Sequence, residues 1–399
     1  MRILVHWDDA AEAELISLYL NVDDHEGVVV TDSDVFLEQA ASSEHHWDII
    51  LLTTSTPTNE AAYDLFNKIR HMLPDCPVVG ACHAGDVYRI ARYMTNGMRS
   101  YLIRDTAGDF IFLLRSTLES TREAVNSERE KMISERLREE IESVRKLQQS
   151  IIPDDLACCA GYEVSAQYES SQIRVMGGQP VVLAGGDYYD VFMLDDNTTV
   201  FILGDASGHG MKACMSIMTM HTLIRMIQRD QYRDTASFVE QINQNLCNQQ
   251  IVNDDGGFIT LLFGILRKNT NEFQWTSAGH PIPLLQNLET NEITMLGTVD
   301  DGGLPLGIVD SAEYEMTSSL IPPGSRLLLY TDGLEEAFPD GTADHAEFGR
   351  KGIEESLRNT RSEPLQNAMQ ALFDDSNRFT KGAGRHDDTS LLLIERDLT

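Results

Sequence analysis

The chain has 399 residues, 42% of them hydrophobic and 24% charged, which points to a globular protein of two or three domains. Its 63 acidic residues against 31 basic ones give a formal net charge of -32. Nucleic acid and anionic membrane are disfavoured as partners because both would repel such a chain, whereas clustered carboxylates that bind metal are compatible with it.

Residues 1–115 alternate strand-like and helix-like patterns. The opening "MRILVHWDD" is a strand followed by acids, without the basic-then-apolar layout of a signal peptide. No apolar run is long enough to span a bilayer, so a cytoplasmic location is expected. "RILVHW", "VVV" at 28–30, "DIILLT" at 48–53, "PVVGAC" at 77–82 and "SYLI" at 100–103 read as short buried strands. Helical stretches such as "AEAELISLYL" and "NEAAYDLFNKIRHML" separate them. That alternation predicts an α/β domain with a parallel sheet.

The order and spacing of this segment resemble a response-regulator receiver domain, as a pattern only. In that family an aspartate ends the third strand and accepts phosphate; here Thr53 stands at that position, with Pro57 where the family has proline. The family's Ser/Thr after strand four corresponds to Cys82, and its lysine after strand five to Arg104, before Asp105 rather than proline. Threonine cannot form the aspartyl-phosphate anhydride. The resemblance therefore implies a pseudo-receiver that takes no phosphate from a donor. Asp8 and Asp9 lack a third carboxylate and read as a solvated acidic turn.

Residues 116–151 predict a linker helix. The stretch from 106 to 151 has no proline, Leu118, Val125 and Met132 recur every seven residues, and Leu137, Ile141, Val144, Gln148 and Ile151 continue a narrow stripe after a phase shift. Two uses are open: a parallel coiled coil in a homodimer, or one helix packed along its own domains. Pro153 marks its exit.

Residues 152–399 are rich in short β-patterned runs interrupted by two helical tracts, at about 210–249 and 348–379. Many antiparallel strands with few helices predict an α+β sandwich, two sheets packed together and flanked by helices. The Met211, Met215, Met218 stripe reads as helix packing. The six cysteines, Cys76, Cys82, Cys158, Cys159, Cys214 and Cys247, form no CxxC pair and read as reduced thiols.

The chemistry of this segment lies in its acids. Asp187 in "AGGDYYD" is read as following a strand, Asp205 in "FILGDASGHG" and Asp332 in "LLLYTDGL" as ending strands, and Asp387 in "GRHDDTSLLLI" as starting one. Any one of them is compatible with a plain turn. Four acids on rigid strand ends can instead converge into a hard, oxygen-only site suited to Mg²⁺ or Mn²⁺. "GDASGHG" is glycine-rich but lacks the Lys-Ser/Thr ending of a P-loop, so it is not read as a nucleotide cradle.

The runs "LQQSIIP", "GGDYYD", "GDASGHG", "SAGHP", "LPLGI", "LLLYTDGLEEA" and "HDDTSLLLI" occur in one order across 147–399. In that order the segment resembles the metal-dependent protein phosphatases (PPM or type 2C), in the SpoIIE/RsbU-like branch. The resemblance implies a centre of two Mn²⁺ or Mg²⁺ ions. Asp205 would bridge them, Asp332 and Asp387 would bind the first, and Asp187 with the Ala206 carbonyl would serve the second. It implies a metal-activated water as nucleophile and no phosphoenzyme. His209 is a candidate proton donor to the leaving seryl oxygen, or else a loop residue that helps start the next helix. His280 is read as shaping the turn before Pro281, and Asp190 and Asp388 as structural acids. "ESSQIRVMGGQPVVLA" exceeds the family's spacing and suggests an added hairpin near the site.

The leading expectation is a serine/threonine phosphatase whose substrate is a phosphorylated STAS-domain anti-sigma factor antagonist, with the N-terminal half setting dimer geometry. The alternative is a non-catalytic adaptor; retention of all four acids favours the enzyme. A phospho-relay output protein is a third reading, against which Thr53 stands.

Overall fold

The computed structural model divides the chain into two units, Met1–Leu137 and Arg138–Thr399. It describes all residues except 23–24, 43–45, 106–107, 154, 174–180, 183, 228, 254–255, 340–345, 382–385 and 399.

In the first unit β1 (Arg2–His6), α1 (Ala10–Leu20), β2 (Glu26–Val30), α2 (Ser33–Ala41), β3 (Ile49–Thr53), α3 (Asn59–Met72), β4 (Val78–His83), α4 (Val87–Thr95) and β5 (Ser100–Arg104) follow in turn. The strands are parallel, in the order β2-β1-β3-β4-β5, a doubly wound sheet. Successive side chains point to opposite faces, and both faces are covered. Ile3, Val5, Ile49 and Leu51 pack beneath α1, while Leu4, Ile50 and Leu52 pack beneath α2 and α3. Asp9, Asp32 and Thr58 start α1, α2 and α3 by accepting from first-turn N–H groups.

The next helix, α5 (Phe110–Gln149), starts earlier than the linker expected from residue 116. Phe110, Leu114 and Leu118 lie in the first unit's core and Val125 is buried, so this end packs along its own domain. Residues 126–140 are exposed throughout, Met132 at 70% and Leu137 at 58%. The heptad stripe therefore has different environments along its length, because its first turns complete an apolar layer while its middle is exposed, touching the first unit only at its polar edge, where Glu128 pairs with Arg99 and Arg129 donates to the Asp75 carbonyl.

In the second unit β6 (Tyr162–Glu169), β7 (Gln172–Ile173), β8 (Val181–Val182), β9 (Asp187–Asp195) and β10 (Thr198–Ala206) lead into helices α6 (Met211–Met226), α7 (Thr235–Cys247) and α8 (Gln250–Asn253). Then come β11 (Ile259–Arg267), β12 (Glu272–Ala278), β13 (Leu284–Asn287), β14 (Ile293–Met295), β15 (Thr317–Leu320), β16 (Ser325–Tyr330), α9 (Gly349–Asn359), α10 (Leu365–Phe379) and β17 (Thr389–Arg396). Two antiparallel five-stranded sheets form, β15-β12-β11-β10-β9 and β14-β13-β16-β17-β6.

The sheets face each other through Phe201, Leu203, Leu262, Phe273 and Trp275 on one side and Leu327, Leu329, Leu392 and Ile394 on the other. The outer face of the first sheet, with Val200, Ile202 and Phe263, is covered by Ile217, Met220 and Ile224 of α6 and Phe238 and Ile242 of α7. The outer face of the second, with Leu328 and Leu393, is covered by Leu357 of α9 and Leu372 and Phe373 of α10. β10 is apolar on both faces because both are buried, one by helix and one by sheet.

Three expectations are corrected. "VVLAGG" reads as a strand, but its described residues form the two-residue β8 followed by a bend at Gly185 and Gly186, so Asp187 begins a strand rather than following one. Met211 and Met215 are exposed, and α6 packs through Ala213, Ile217, Met220 and Ile224 instead. β15 was not read from the sequence, since "TSSL" at a sheet edge carries a single apolar residue. The lengthened segment does pair β7 with β8 antiparallel; its residues 174–180 and 183 lie outside the described residues.

Candidate metal centre

The β9–β10 pairing places Asp187 directly opposite Asp205. Asp332 follows β16 by two residues, and Asp387 precedes β17 by two. β16 and β17 are neighbours in the second sheet, so the sandwich gathers the four acids from both sheets at one end. Asp205 feels the charges of the other three. Burial, then the charges of Asp187 and Asp332, drive the Asp205 pKa well above the usual carboxylate range. Burial and Asp388 do the same to Asp187, and burial raises Asp332. Burial, with Asp388 and Asp332 adding to it, pushes Asp387 up to about 7.

The backbone around Asp187 is held from several sides. Thr331 Oγ1 donates to Asp187 Oδ2 at 2.8 Å and accepts from Ser390 N at 2.9 Å. Asp388 accepts from Ser171 N at 2.7 Å and Gly186 N at 2.5 Å. Ala206 N donates to Gly186 O at 2.9 Å. Glycine is required at 186, where a Cβ would stand 2.7 Å from the Ala206 carbonyl oxygen. Asp388 is thus a structural acid, as read, and Thr331 is a partner of the site that the sequence reading missed. Its only sequence signal is its place directly before Asp332.

Among the described residues no three His, Cys, Asp or Glu side chains are oriented so as to hold a metal ion as they stand. Asp187 turns instead to Thr331 and faces Asp205 on the paired strand. Crowded acids relax by sharing a proton. The donor set nevertheless fits hard divalent cations. It is all oxygen, and Asp187 Oδ1 and Asp332 Oδ1 are buried with no hydrogen-bond partner.

A pH dependence follows for the protein in chelator. These acids have raised folded-state pKa values, so the native state holds extra protons. The stability they contribute is complete below the ordinary value of 3.8 and is lost as pH rises through about 7, where Asp387 titrates. Metal-free protein is expected to melt lower at pH 8 than at pH 5.5, and Asp387→Asn to flatten that slope; thermal melts in chelator check both.

The other candidates fall around this cluster. His209 is exposed on the loop between Gly208 and Gly210, both at positive φ, next to the start of α6. His280 is buried, its Nδ1 within 2.9 Å of Thr260 Oγ1, and burial pushes its pKa down to about 3. Ser277 Oγ accepts from His280 N at 3.0 Å, which fixes the turn. Asp190 lies apart, accepting from Tyr188 and, at 2.7 Å, from Arg225 of α6.

In the first unit the end of the sheet is occupied by an internal ion-pair network. Arg104 donates to Asp8 at 2.6 Å and to Glu12 at 2.7 Å, and its guanidinium stacks over Trp7 at 4.5 Å. Thr56 donates to the other Asp8 oxygen, and Asp9 caps α1. The expected solvated acidic turn is therefore corrected for Asp8, because Arg104 reaches across from β5 to neutralise it. Thr53 and Cys82 are fully buried.

The sandwich, its flanking helix pairs and the acids at one end define the second unit as a PP2C-type phosphatase fold. It is similar to the SiaA-PP2C domain of Pseudomonas aeruginosa, with a TM-score of 0.54 and 15% identity, over 66% of this chain and 99% of that one. The profile of Stage II sporulation protein E (SpoIIE) matches residues 195–397, half of the chain, and the chain belongs to this family. The match contains Asp205, Asp332 and Asp387 and begins after Asp187.

Among characterised relatives, Protein IcfG of Synechocystis sp. is 25% identical over 284 residues, 65% of this chain and 42% of that protein. Phosphoserine phosphatase RsbU of Bacillus subtilis is 24% identical over 267 residues, 66% of this chain and 72% of that protein. The chain thus spans less than half the length of the first of these. Among the described residues no helix is long and apolar enough to cross a membrane.

Proposed function

We propose that the chain is a metal-dependent protein serine/threonine phosphatase acting on a phosphorylated regulatory protein. The substrate class is a phosphorylated STAS-type anti-sigma factor antagonist, in keeping with the similarity to phosphoserine phosphatase RsbU. The observation that carries the reading is the gathering of four buried or half-buried acids, two of them with an orphaned oxygen, at one end of a PP2C-type sandwich.

Asp205 would bridge two Mn²⁺ or Mg²⁺ ions, Asp332 and Asp387 would hold the first, and Asp187 with the Ala206 carbonyl the second. When bound, the ions would supply the Lewis acidity that makes water a nucleophile near neutral pH and offsets charge on the phosphoryl oxygens. The chain's own part is positioning. Thr331 fixes one oxygen of Asp187 and leaves the other free to coordinate. Asp388 and Ala206 hold the bend that delivers Asp187. His209, exposed on the loop after Asp205, would give a proton to the leaving seryl oxygen.

In this reading the first unit is a pseudo-receiver. Its acidic turn is neutralised by Arg104, Thr53 is buried, and no phosphate is accepted. Incubation with labelled acetyl phosphate is expected to leave the chain unlabelled. The exposed Met132, Ile133 and Leu137 of α5 support pairing with a second copy in a homodimeric coiled coil.

The test is phosphate release from a phosphoserine STAS-domain protein by the full chain with Mn²⁺ or Mg²⁺. Release that stops in chelator supports the reading. No release from folded, metal-supplied protein would overturn it and favour an adaptor.

A further inference from the structure

Gln148 lies in the last turn of α5 and is fully buried. It is not a seam residue awaiting a partner helix, as its spacing suggested. Its side-chain amide closes on the chain either side of Gly186. Oε1 accepts from Gly185 N at 2.8 Å, and Nε2 donates to the Asp187 carbonyl at 3.2 Å and to the Tyr168 hydroxyl at 3.1 Å. The donor end meets acceptors and the acceptor end meets a donor, so the orientation of the amide is set by its neighbours.

This bend has little slack. Gly186 N is held by Asp388 and Gly186 O by Ala206 N. A Cβ at Gly185 would stand 2.1 Å from the Tyr168 hydroxyl and 2.6 Å from Asp388 Oδ2. The strand that begins here carries Asp187 as its first residue. Gln148 is the one side chain of α5 that hydrogen-bonds this segment among the described residues.

We propose that Gln148 is a positioning residue that ties the last turn of α5 to the Asp187 backbone, so that the setting of this helix controls cation affinity at Asp187. The proposal rests on the two-cation reading above for its effect on metal, but the tie itself does not. A one-residue slip of a helix turns it by about 100° and advances it by about 1.5 Å, enough to carry Gln148 away from both backbone partners. Gly185 N and the Asp187 carbonyl would then be left unpaired in a buried place.

The test uses the full chain, as parent, Gln148→Met and Gln148→Glu. Methionine keeps the volume and loses all three hydrogen bonds; glutamate keeps the acceptor for Gly185 N. Amide hydrogen exchange at 185–187 is measured in chelator, and Mn²⁺ affinity by calorimetry. Partners that orient metal ligands are worth about 10–100-fold in affinity.

Gln148→Met is expected to bind Mn²⁺ at least about tenfold more weakly and to exchange faster at 185–187. Gln148→Glu is expected to retain slow exchange at Gly185. Parent-like affinity and exchange in folded Gln148→Met would overturn the proposal. Should Gln148→Met not fold, the parent decides: a Gly185 amide that exchanges freely in chelator overturns the tie, and one protected as well as the end of α5 supports it. Absence of Mn²⁺ binding by the parent would instead defeat the two-cation reading, and the exchange arm would still decide the tie.

Discussion

Asp205→Asn is expected to lower Mn²⁺-dependent phosphate release by roughly a thousandfold or more, since even partners one step removed from a metal are worth about 10–100-fold. Asp205 stands opposite Asp187 on the paired strand and feels Asp332 and Asp387 from the other sheet. No other acid of the set has that central place. The same change should not unfold the protein. Asparagine has the shape of aspartate and removes a buried charge that its neighbours oppose. In chelator at pH 8 the variant should melt at the same temperature as the parent or higher. Kinetics and melting together separate a lost ligand from a lost fold.

Gly333→Ala should act in the opposite way, on stability first. A Cβ at Gly333 would stand 2.0 Å from the carbonyl oxygen of Asp388 and 2.9 Å from Thr389 Oγ1. The first neighbour is backbone, so no rotamer change relieves it. The turn after β16 must move away from the start of β17, at a cost of about 3 kcal/mol, the upper end for overpacking. In a unit of this size each kcal/mol lowers the melting temperature by roughly 2–4 °C. The same movement separates Asp332 from Asp387, so Mn²⁺ binding should weaken as well. Differential scanning calorimetry without metal and a Mn²⁺ titration read the two effects.

Where the sequence is legible, a simple pattern is tied to burial. "DIILLT" and "PVVGAC" are continuous apolar runs because β3 and β4 are covered on both faces. The acids Asp205 and Asp332 stand out because each follows a fully buried strand segment. Asp187 was placed on the wrong side of its strand, since "VVL" reads as strand while its continuation is bent by two glycines.

The supporting residues are less legible. Gln148 shares a heptad phase with Val144 and Ile141, and only the fold shows that its phase turns it into the sandwich. Thr331 and Asp388 look like any polar neighbours of an acid, and their use depends on β16 and β17 lying side by side. Arg104 and Asp8 are 96 residues apart, and their ion pair exists only once β1 and β5 lie in one parallel sheet with their C-terminal ends on the same side.

The most direct test of the metal centre is calorimetric titration of the metal-free full chain with Mn²⁺, beside Asp205→Asn. Binding of two ions by the parent, with the affinity of the pair lost in the variant, is the predicted result. A parent that binds no Mn²⁺ while fully folded, or a variant that binds as the parent does, would contradict a centre built on these four acids.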